Sequence, residues 1–332
     1  MVSPDLVDAC KWASCLPERW RAGAAARSGF KLHASVVLAG LVAAFLLLQS
    51  RAPLGTAIQI GADEGFDLAK ATLCLHGHRL YSEVWNDQPP LHTWLVTQVL
   101  KYLTPDIVGP RLVSVAFAGV LVVCVFVIVW RASGLLTGAL TGALIIASSG
   151  FLELSSSCML EIPALATATV GLGIMLVLSR TKWYGVEWLS GLLFGMAALM
   201  KLVPLYLLPL AALIVWMRRG EEGTRETREI RERGTLCWPS FRLFRESAVR
   251  CYDGWRGLLR PLLVLGAGVV TGFAVADWLI ERGAYLAHFQ QSWSSHFSGT
   301  QSFEYGSPAE HTFDWGILVR NWDATMPAVL GI

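Results

Sequence analysis

The sequence predicts an all-α polytopic membrane protein, and three observations carry that expectation. Apolar residues make up 54% of the 332 residues and charged ones only 16%, a balance foreign to soluble globular domains. The mean hydropathy is +0.50. The apolar residues gather into runs, most of them close to the ~20 residues that a bilayer core requires. A formal charge of +2 leaves no basic excess for wrapping a duplex, so no nucleic-acid partner is expected. The cysteines, Cys10, Cys15, Cys74, Cys124, Cys158, Cys237 and Cys251, form no C-x-x-C pair and are odd in number. They read as unpaired small hydrophobes rather than a disulfide framework.

Taken in order, residues 1–31 are a cytoplasmic N-terminal segment carrying Lys11, Arg19, Arg21, Arg27 and Lys31. The run Leu32 to Gln49 is the first span, and no small-x-small site follows it to suggest a cleaved signal. Further spans are expected at Leu112 to Trp130, Leu135 to Leu152, Ile162 to Ser179, Trp183 to Leu202, Val203 to Met217 and Pro261 to Ile280, with another opening near Met326. The stretch from Trp188 to Met217 divides at Lys201 to Pro204, because proline disfavours helical geometry in the residue before it and a mid-bilayer lysine is costly. Residues 32–217 thus make an N-terminal transmembrane core. Residues 218–260 form a charged cytoplasmic loop, in which EEGTRETREIRERG reads as a solvated helix or a linker. Residues 261–332 carry further spans with an extracytoplasmic loop at 281–325.

The run Pro89 to Leu103, PPLHTWLVTQVLKYL, is short for a crossing and amphipathic through His92, Thr93, Thr97, Gln98 and Lys101. The positive-inside bias arbitrates. With the N-terminus inside, a surface helix here leaves most Lys and Arg residues cytoplasmic, whereas a crossing would put the majority outside. The surface helix is therefore expected. Residues 50–111, the short turn from Glu153 to Glu161, Lys201 and residues 281–325 then face one extracytoplasmic side, with the loop at 50–110 able to carry catalysis.

Several polar residues on that side can carry chemistry. A helix starting near Asp63 places acids at its N-terminus, where the dipole favours them, and lays Phe66, Ala69 and Leu73 on the membrane. Asp63 and Asp67 share the opposite face with Lys70. The neighbouring Asp63 and Glu64 suit a general base or oxygen ligands for a divalent cation, and equally an N-cap with a first-turn acid. Glu161, in SCMLEIPALA at a span mouth, is a functional candidate or an interfacial residue reaching water. Asp87 in NDQPPL precedes a Pro-Pro step that fixes an extended chain before the surface helix. Arg79, Arg111, Lys201 and Arg282 are donors for a phosphate or snorkelling anchors. The late loop mixes eight aromatics with His288, His296 and His311. That mixture suits an aromatic belt, or stacking on a sugar ring, and has no zinc-site spacing. No P-loop, G-x-G-x-x-G, G-x-S-x-G or H-E-x-x-H occurs, so soluble-cofactor chemistry lacks support.

Five motifs in order, Asp63-Glu64 after the first span, LYSEVWNDQPPLHTWL, Arg111-Leu112, MLEIPALA and LSGLLFGMAALMKLVPLYLLPLA, resemble the GT-C glycosyltransferases that use polyprenyl-phosphate sugars. The nearest likeness is to the protein O-mannosyltransferase and lipid A aminoarabinose transferase group, including bacterial members with an RgtA/B/C/D-like domain. The resemblance implies a GT-C-type transmembrane helix bundle with surface helices in the first extracytoplasmic loop. It implies catalytic roles for Asp63, Glu64 and Glu161, with a divalent cation on Asp63 and Glu161 as the one cofactor to consider. Asp87, Gln88, Arg79, Lys201 and Arg282 would bind substrate. Where the family often has a phosphate-binding lysine, this chain has Gln88, so Lys201, Arg79 or Arg282 would supply the charge. Family members usually continue through more spans, so the resemblance also implies a chain truncated at Gly331-Ile332.

The expected activity is inverting transfer of a sugar from a polyprenyl-phosphate donor to a hydroxyl of a glycan, lipid or protein acceptor. The expected place is the outer face of a bacterial inner membrane, with membrane lipid as a further partner. The competing classes are a transporter or lipid flippase, whose signature would be repeats with acids at mid-bilayer, and a non-catalytic truncated homologue.

Overall fold

The computed structural model describes residues 27–55, 62–103, 106–178, 184–215, 242–285 and 287. The described residues are mostly helical. α1 covers Arg27–Gln49, α2 Ala62–Leu75, α3 Pro90–Tyr102, α4 Val108–Ser133 and α5 Leu135–Ala147. α6 covers Ser149–Ser155, α7 Glu161–Val177 and α8 Gly185–Met200. α9, Val203–Val215, opens as a 3-10 turn, and α10 covers Arg242–Glu281. Among the described residues the one departure from helix and loop is an isolated bridge between Leu80 and Val84.

The architecture is the expected all-α polytopic membrane protein. Leu32–Gln49, Val108–Ser133 and Leu259–Ile280 are long and apolar enough to cross a bilayer, and α7, α8 and α9 are shorter apolar helices. The outward faces of α5 and α10 carry Leu136, Leu140, Leu263 and Val270, all exposed, as a lipid-facing surface should. The core lies between the helices. Phe45, Ala118 and Val122 join α1 to α4, while Met175, Phe194 and Ala197 join α7 to α8.

Three boundaries differ from the sequence expectation. The run 135–152 is not one straight span: α5 and α6 meet at 69°. Ser148 turns extended there, with φ −72° and ψ 120°, and its hydroxyl accepts from the Phe151 amide at 3.5 Å. This serine competes with the helix for a backbone donor. Glu153 consequently belongs to α6, and the turn before Glu161 contracts to residues 156–160. Next, the helix of the last span begins well before Pro261, so the charged loop is helical from Arg242 onward. Pro261 sits inside that helix, a position membrane helices tolerate when neighbouring groups satisfy the freed carbonyl. Residues 216–241, the N-terminal segment to residue 26 and the aromatic loop with His288, His296 and His311 lie outside the described residues.

Two expectations hold in detail. The chain breaks at Lys201, which is extended with φ −156° and ψ 143°, between α8 and α9. α3 is 13 residues long, about 20 Å at ~1.5 Å per residue and too short to cross. It buries Leu91, His92, Val96 and Val99 while leaving Trp94 and Tyr102 outside. Together α2 and α3 meet the starts of α4 and α7 and the end of α8. The described parts of the segments expected on one side of the membrane therefore share one end of the bundle.

α8 and α10 approach backbone to backbone through Gly191, Gly195, Gly268 and Gly272. A β-carbon on Gly272 would strike the Leu192 carbonyl, and one on Gly191 the Leu265 carbonyl, whereas Gly266 has nothing within 4 Å. Gly272→Val is expected to lower stability by about 1–3 kcal/mol, as overpacked cores do, while Gly266→Ala leaves it unchanged. Thermal unfolding of the two variants in detergent checks this, and equal midpoints would refute the close seam.

Candidate active site

The site end is organised around a buried ion pair. Glu64, in the first turn of α2, and Arg111, in the first turn of α4, are each 1% exposed. Arg111 Nε donates to Glu64 Oε1 and Nη2 to Oε2, both at 2.9 Å. Arg111 Nη1 donates to the Leu54 carbonyl at 2.8 Å, and the Cys158 amide donates to Glu64 Oε1 at 2.6 Å. A bidentate fork with further donors is the geometry in which a buried pair repays its desolvation. Gln49 adds a second tie, donating to Ser155 Oγ at 2.6 Å and accepting from Ser156 Oγ at 3.0 Å.

Inside this frame α2, the loop before α3, α3, the start of α7 and the break after α8 bring a charged cluster together. Lys70 Nζ lies 3.6 Å from Asp67 Oδ1 and 3.1 Å from Asp87 Oδ1, above the Trp85 ring at 5.7 Å. His92 Nδ1, on α3, stands 3.8 Å from Asp67 Oδ2. Glu161, at the start of α7, pairs with Lys201, at the break after α8. Asp67, Lys70 and His92 are buried and Asp87 is half-buried, whereas the Glu161 and Lys201 side chains are 33% and 26% exposed. The cluster thus has a closed back and an open mouth.

Its electrostatics follow from that burial. Desolvation pushes the Asp67 carboxyl up to about 6; Lys70 opposes the rise, and Asp87 and Glu161 add to it. Desolvation also drives the His92 imidazole down to about 4, against the pull of Glu161. For Asp87 burial works the same way as for Asp67, but the Lys70 charge and hydrogen bonds from Lys70 and Gln88 outweigh it and hold the carboxyl low. Burial, with the charges of Asp67 and Glu64 behind it, keeps the Cys158 thiol protonated.

The residues singled out in the sequence are distributed as follows. Glu64 is turned inward onto Arg111, while its neighbour Asp63 is exposed; residues one apart on a helix diverge by about 100°. The structure therefore does not bring Asp63 and Glu64 together as a pair. Asp87 and Glu161 are in the cluster. Gln88 donates to Asp87 Oδ2 at 3.2 Å, and its carbonyl accepts from Tyr81 and Asn86, each at 2.7 Å, so the extended chain before Pro89-Pro90 is held rigidly. Arg79 is exposed and lines a pocket of about 210 Å³ with His78, Thr93 and Trp94. Arg282 is exposed beyond α10 in a left-handed conformation, φ 53°. Arg111, a phosphate donor candidate in the sequence, is committed to Glu64. The oxygen set expected for a cation is not assembled: Asp63 faces out, Glu161 is taken by Lys201, and no three His, Cys, Asp or Glu side chains among the described residues form a group fit to hold an ion.

Asp67 and His92 did not stand out as site residues in the sequence. The signal was present for one of them, because Glu64, Asp67 and Lys70 recur at the i, i+3 spacing of a single helical face. His92 had no such signal.

Residues 76–244 match the family model of the dolichyl-phosphate-mannose-protein mannosyltransferases. The chain belongs to this family. It is accordingly a membrane glycosyltransferase of a class that uses polyprenyl-phosphate sugar donors. No curated protein and no solved structure matches it. The mannosyltransferase-family match includes Asp87, His92, Glu161 and Lys201 and begins after α2, the helix that supplies Asp63, Glu64, Asp67 and Lys70.

Two predictions follow from this geometry. Glu64→Gln leaves the Arg111 charge buried and is expected to cost about 3–5 kcal/mol, read as a lost or sharply lowered unfolding transition; a wild-type midpoint would contradict the framing role. The second concerns pH. The folded value for Asp67 lies above its ordinary 3.8, so its contribution is complete below that pH and lost as pH rises through about 6. The value for His92 lies below its ordinary 6.5, so its contribution is complete above that pH and lost as pH falls through about 4. Relative to wild type, Asp67→Asn should tilt the plot of unfolding midpoint upward with pH between about 4 and 6, and His92→Gln should tilt it downward. Parallel plots for the two variants would show that neither group is perturbed.

Proposed function

We propose that this glycosyltransferase moves a sugar, with inversion, from a polyprenyl-phosphate donor to an acceptor hydroxyl on the extracytoplasmic face. The observation that carries the reading is the convergence of Asp67, Asp87 and Glu161 with Lys70 and Lys201 at one end of a bundle of apolar helices. Such a place suits a lipid-linked substrate, because the tail stays in hydrocarbon while the headgroup meets fixed charges at the helix ends.

In this mechanism Asp63, exposed on the first turn of α2, takes the proton of the acceptor hydroxyl. The hydroxyl oxygen attacks the anomeric carbon from the face opposite the phosphate, and the bond from that carbon to the phosphate oxygen breaks with its electron pair. Lys201, at the open mouth beside Glu161, stabilises the departing polyprenyl phosphate. The acceptor is a hydroxyl of an envelope glycan, lipid or protein, and the membrane is the inner membrane of a bacterium. The concentration of acids at one end, rather than along the middle of paired repeats, supports an enzyme over a transporter.

Asp63→Asn is expected to reduce transfer by ~10²–10⁴-fold, the worth of a general base, with membrane insertion and unfolding midpoint unchanged. Turnover of radiolabelled polyprenyl-phosphate sugar by the purified chain measures it, and wild-type rates in the variant would remove Asp63 from the mechanism.

A further inference from the structure

Two buried acceptor atoms in the cluster have no hydrogen-bond partner: His92 Nδ1 and Glu161 Oε2. His92 is 2% exposed, so water does not simply bathe it, and buried polar atoms of this kind are ordinarily satisfied. The 3.8 Å from His92 Nδ1 to Asp67 Oδ2 is too long for a direct hydrogen bond and short enough for a single bridging oxygen. Glu161 belongs to the same neighbourhood, since its charge acts on both Asp67 and His92. Its other oxygen is held by Lys201.

The chemistry of these atoms selects the ligand. Both need a donor, and they lie among three carboxylates, Asp67, Asp87 and Glu161. A phosphate brings further negative charge and acceptor oxygens, so it is repelled from the back of the cluster and belongs at the mouth with Lys201. A cation would be opposed by Lys70 and Lys201. Neutral groups rich in O–H donors fit, and the sugar of a lipid-linked donor supplies them on adjacent carbons.

The geometry points to a sugar-hydroxyl subsite in which His92 Nδ1 and Glu161 Oε2 accept hydrogen bonds from two hydroxyls of the transferred sugar, with Asp67 Oδ2 contacting the first across the gap. The inference rests on the glycosyltransferase reading above and adds to it the residue that distinguishes one sugar from another. Burial favours the uncharged imidazole, and in the tautomer with the proton on Nε2 the unpartnered Nδ1 accepts. His92 is thus a specificity-determining residue set at the back of the site, distinct from the proton acceptor at its edge.

The test is binding by the full chain in detergent or nanodiscs, read by thermal shift. The probes are bare undecaprenyl phosphate and its mannosyl, glucosyl and arabinosyl derivatives, with monodeoxy forms of the best one. Wild type is expected to bind at least one glycosyl lipid about tenfold more tightly than the bare lipid, and to lose that margin for one monodeoxy form. His92→Phe, aromatic and planar but without the acceptor, should equalise glycosyl and bare lipid while leaving the bare-lipid affinity unchanged. His92→Asn, which returns an acceptor near the Nδ1 position, should restore the preference, and it decides the matter where His92→Phe does not fold. A preference retained in His92→Phe, or no preference in wild type for any of the three sugars, overturns the subsite and leaves only a buried water there. Transfer measured alongside separates the two readings. Sugar-dependent binding without transfer defeats the mechanism and spares the subsite, whereas transfer with unaltered sugar discrimination in His92→Phe does the reverse.

Discussion

The ion pair between Glu64 and Arg111 is the constraint on which the rest of the site end depends. It joins four separate pieces of chain: the segment after α1 through the Leu54 carbonyl, α2 through Glu64, α4 through Arg111, and the turn before α7 through the Cys158 amide. Each of these groups would be expensive to bury alone, and together they satisfy one another. Because Arg111 is planar and meets both carboxylate oxygens, the pair fixes direction as well as distance. α2 is thereby held with one face inward, and that face carries Asp67 and Lys70.

Once α2 is fixed, burial decides what each remaining charge can do. Asp67 and His92 are pressed between α2 and α3, and loss of water favours their neutral forms. Asp87 lies closer to Lys70 than Asp67 does, and its carboxyl is held low because the Lys70 charge and the hydrogen bonds from Lys70 and Gln88 outweigh the cost of burial. Glu161 and Lys201 occupy the opening, where water has access. A lipid-linked substrate needs this gradient: charge at the mouth for a phosphate, neutral polar groups behind it for a sugar, and apolar helix faces alongside for a tail.

The helices supply the rigidity the site requires. The glycine seam between α8 and α10 brings two backbones into contact, and Tyr285, just after α10, packs against Tyr81 at 5.7 Å between ring centres. Tyr81 in turn donates to the Gln88 carbonyl. The loop that presents Asp87 is therefore braced from the far end of the described chain, so that the late helix positions a residue near the start of the fold.

The sequence by itself determined the helical membrane class of the protein, the apolar runs that become its long helices, the break at Lys201 and the shortness of α3. Those depend on hydropathy, proline chemistry and the length of a bilayer crossing, all of which act locally. It also marked Glu161 and Asp87 as acids in unusual positions. It did not separate Asp63 from Glu64, because two adjacent carboxylates look alike until a partner far along the chain claims one of them. Nor did it single out His92, which in the sequence is one polar residue on an amphipathic helix. Only the tertiary structure turned that imidazole toward Asp67 and away from water. Roles of ionisable groups are set by the partners and the dielectric around them, and both come from segments that the fold, not the local sequence, brings together.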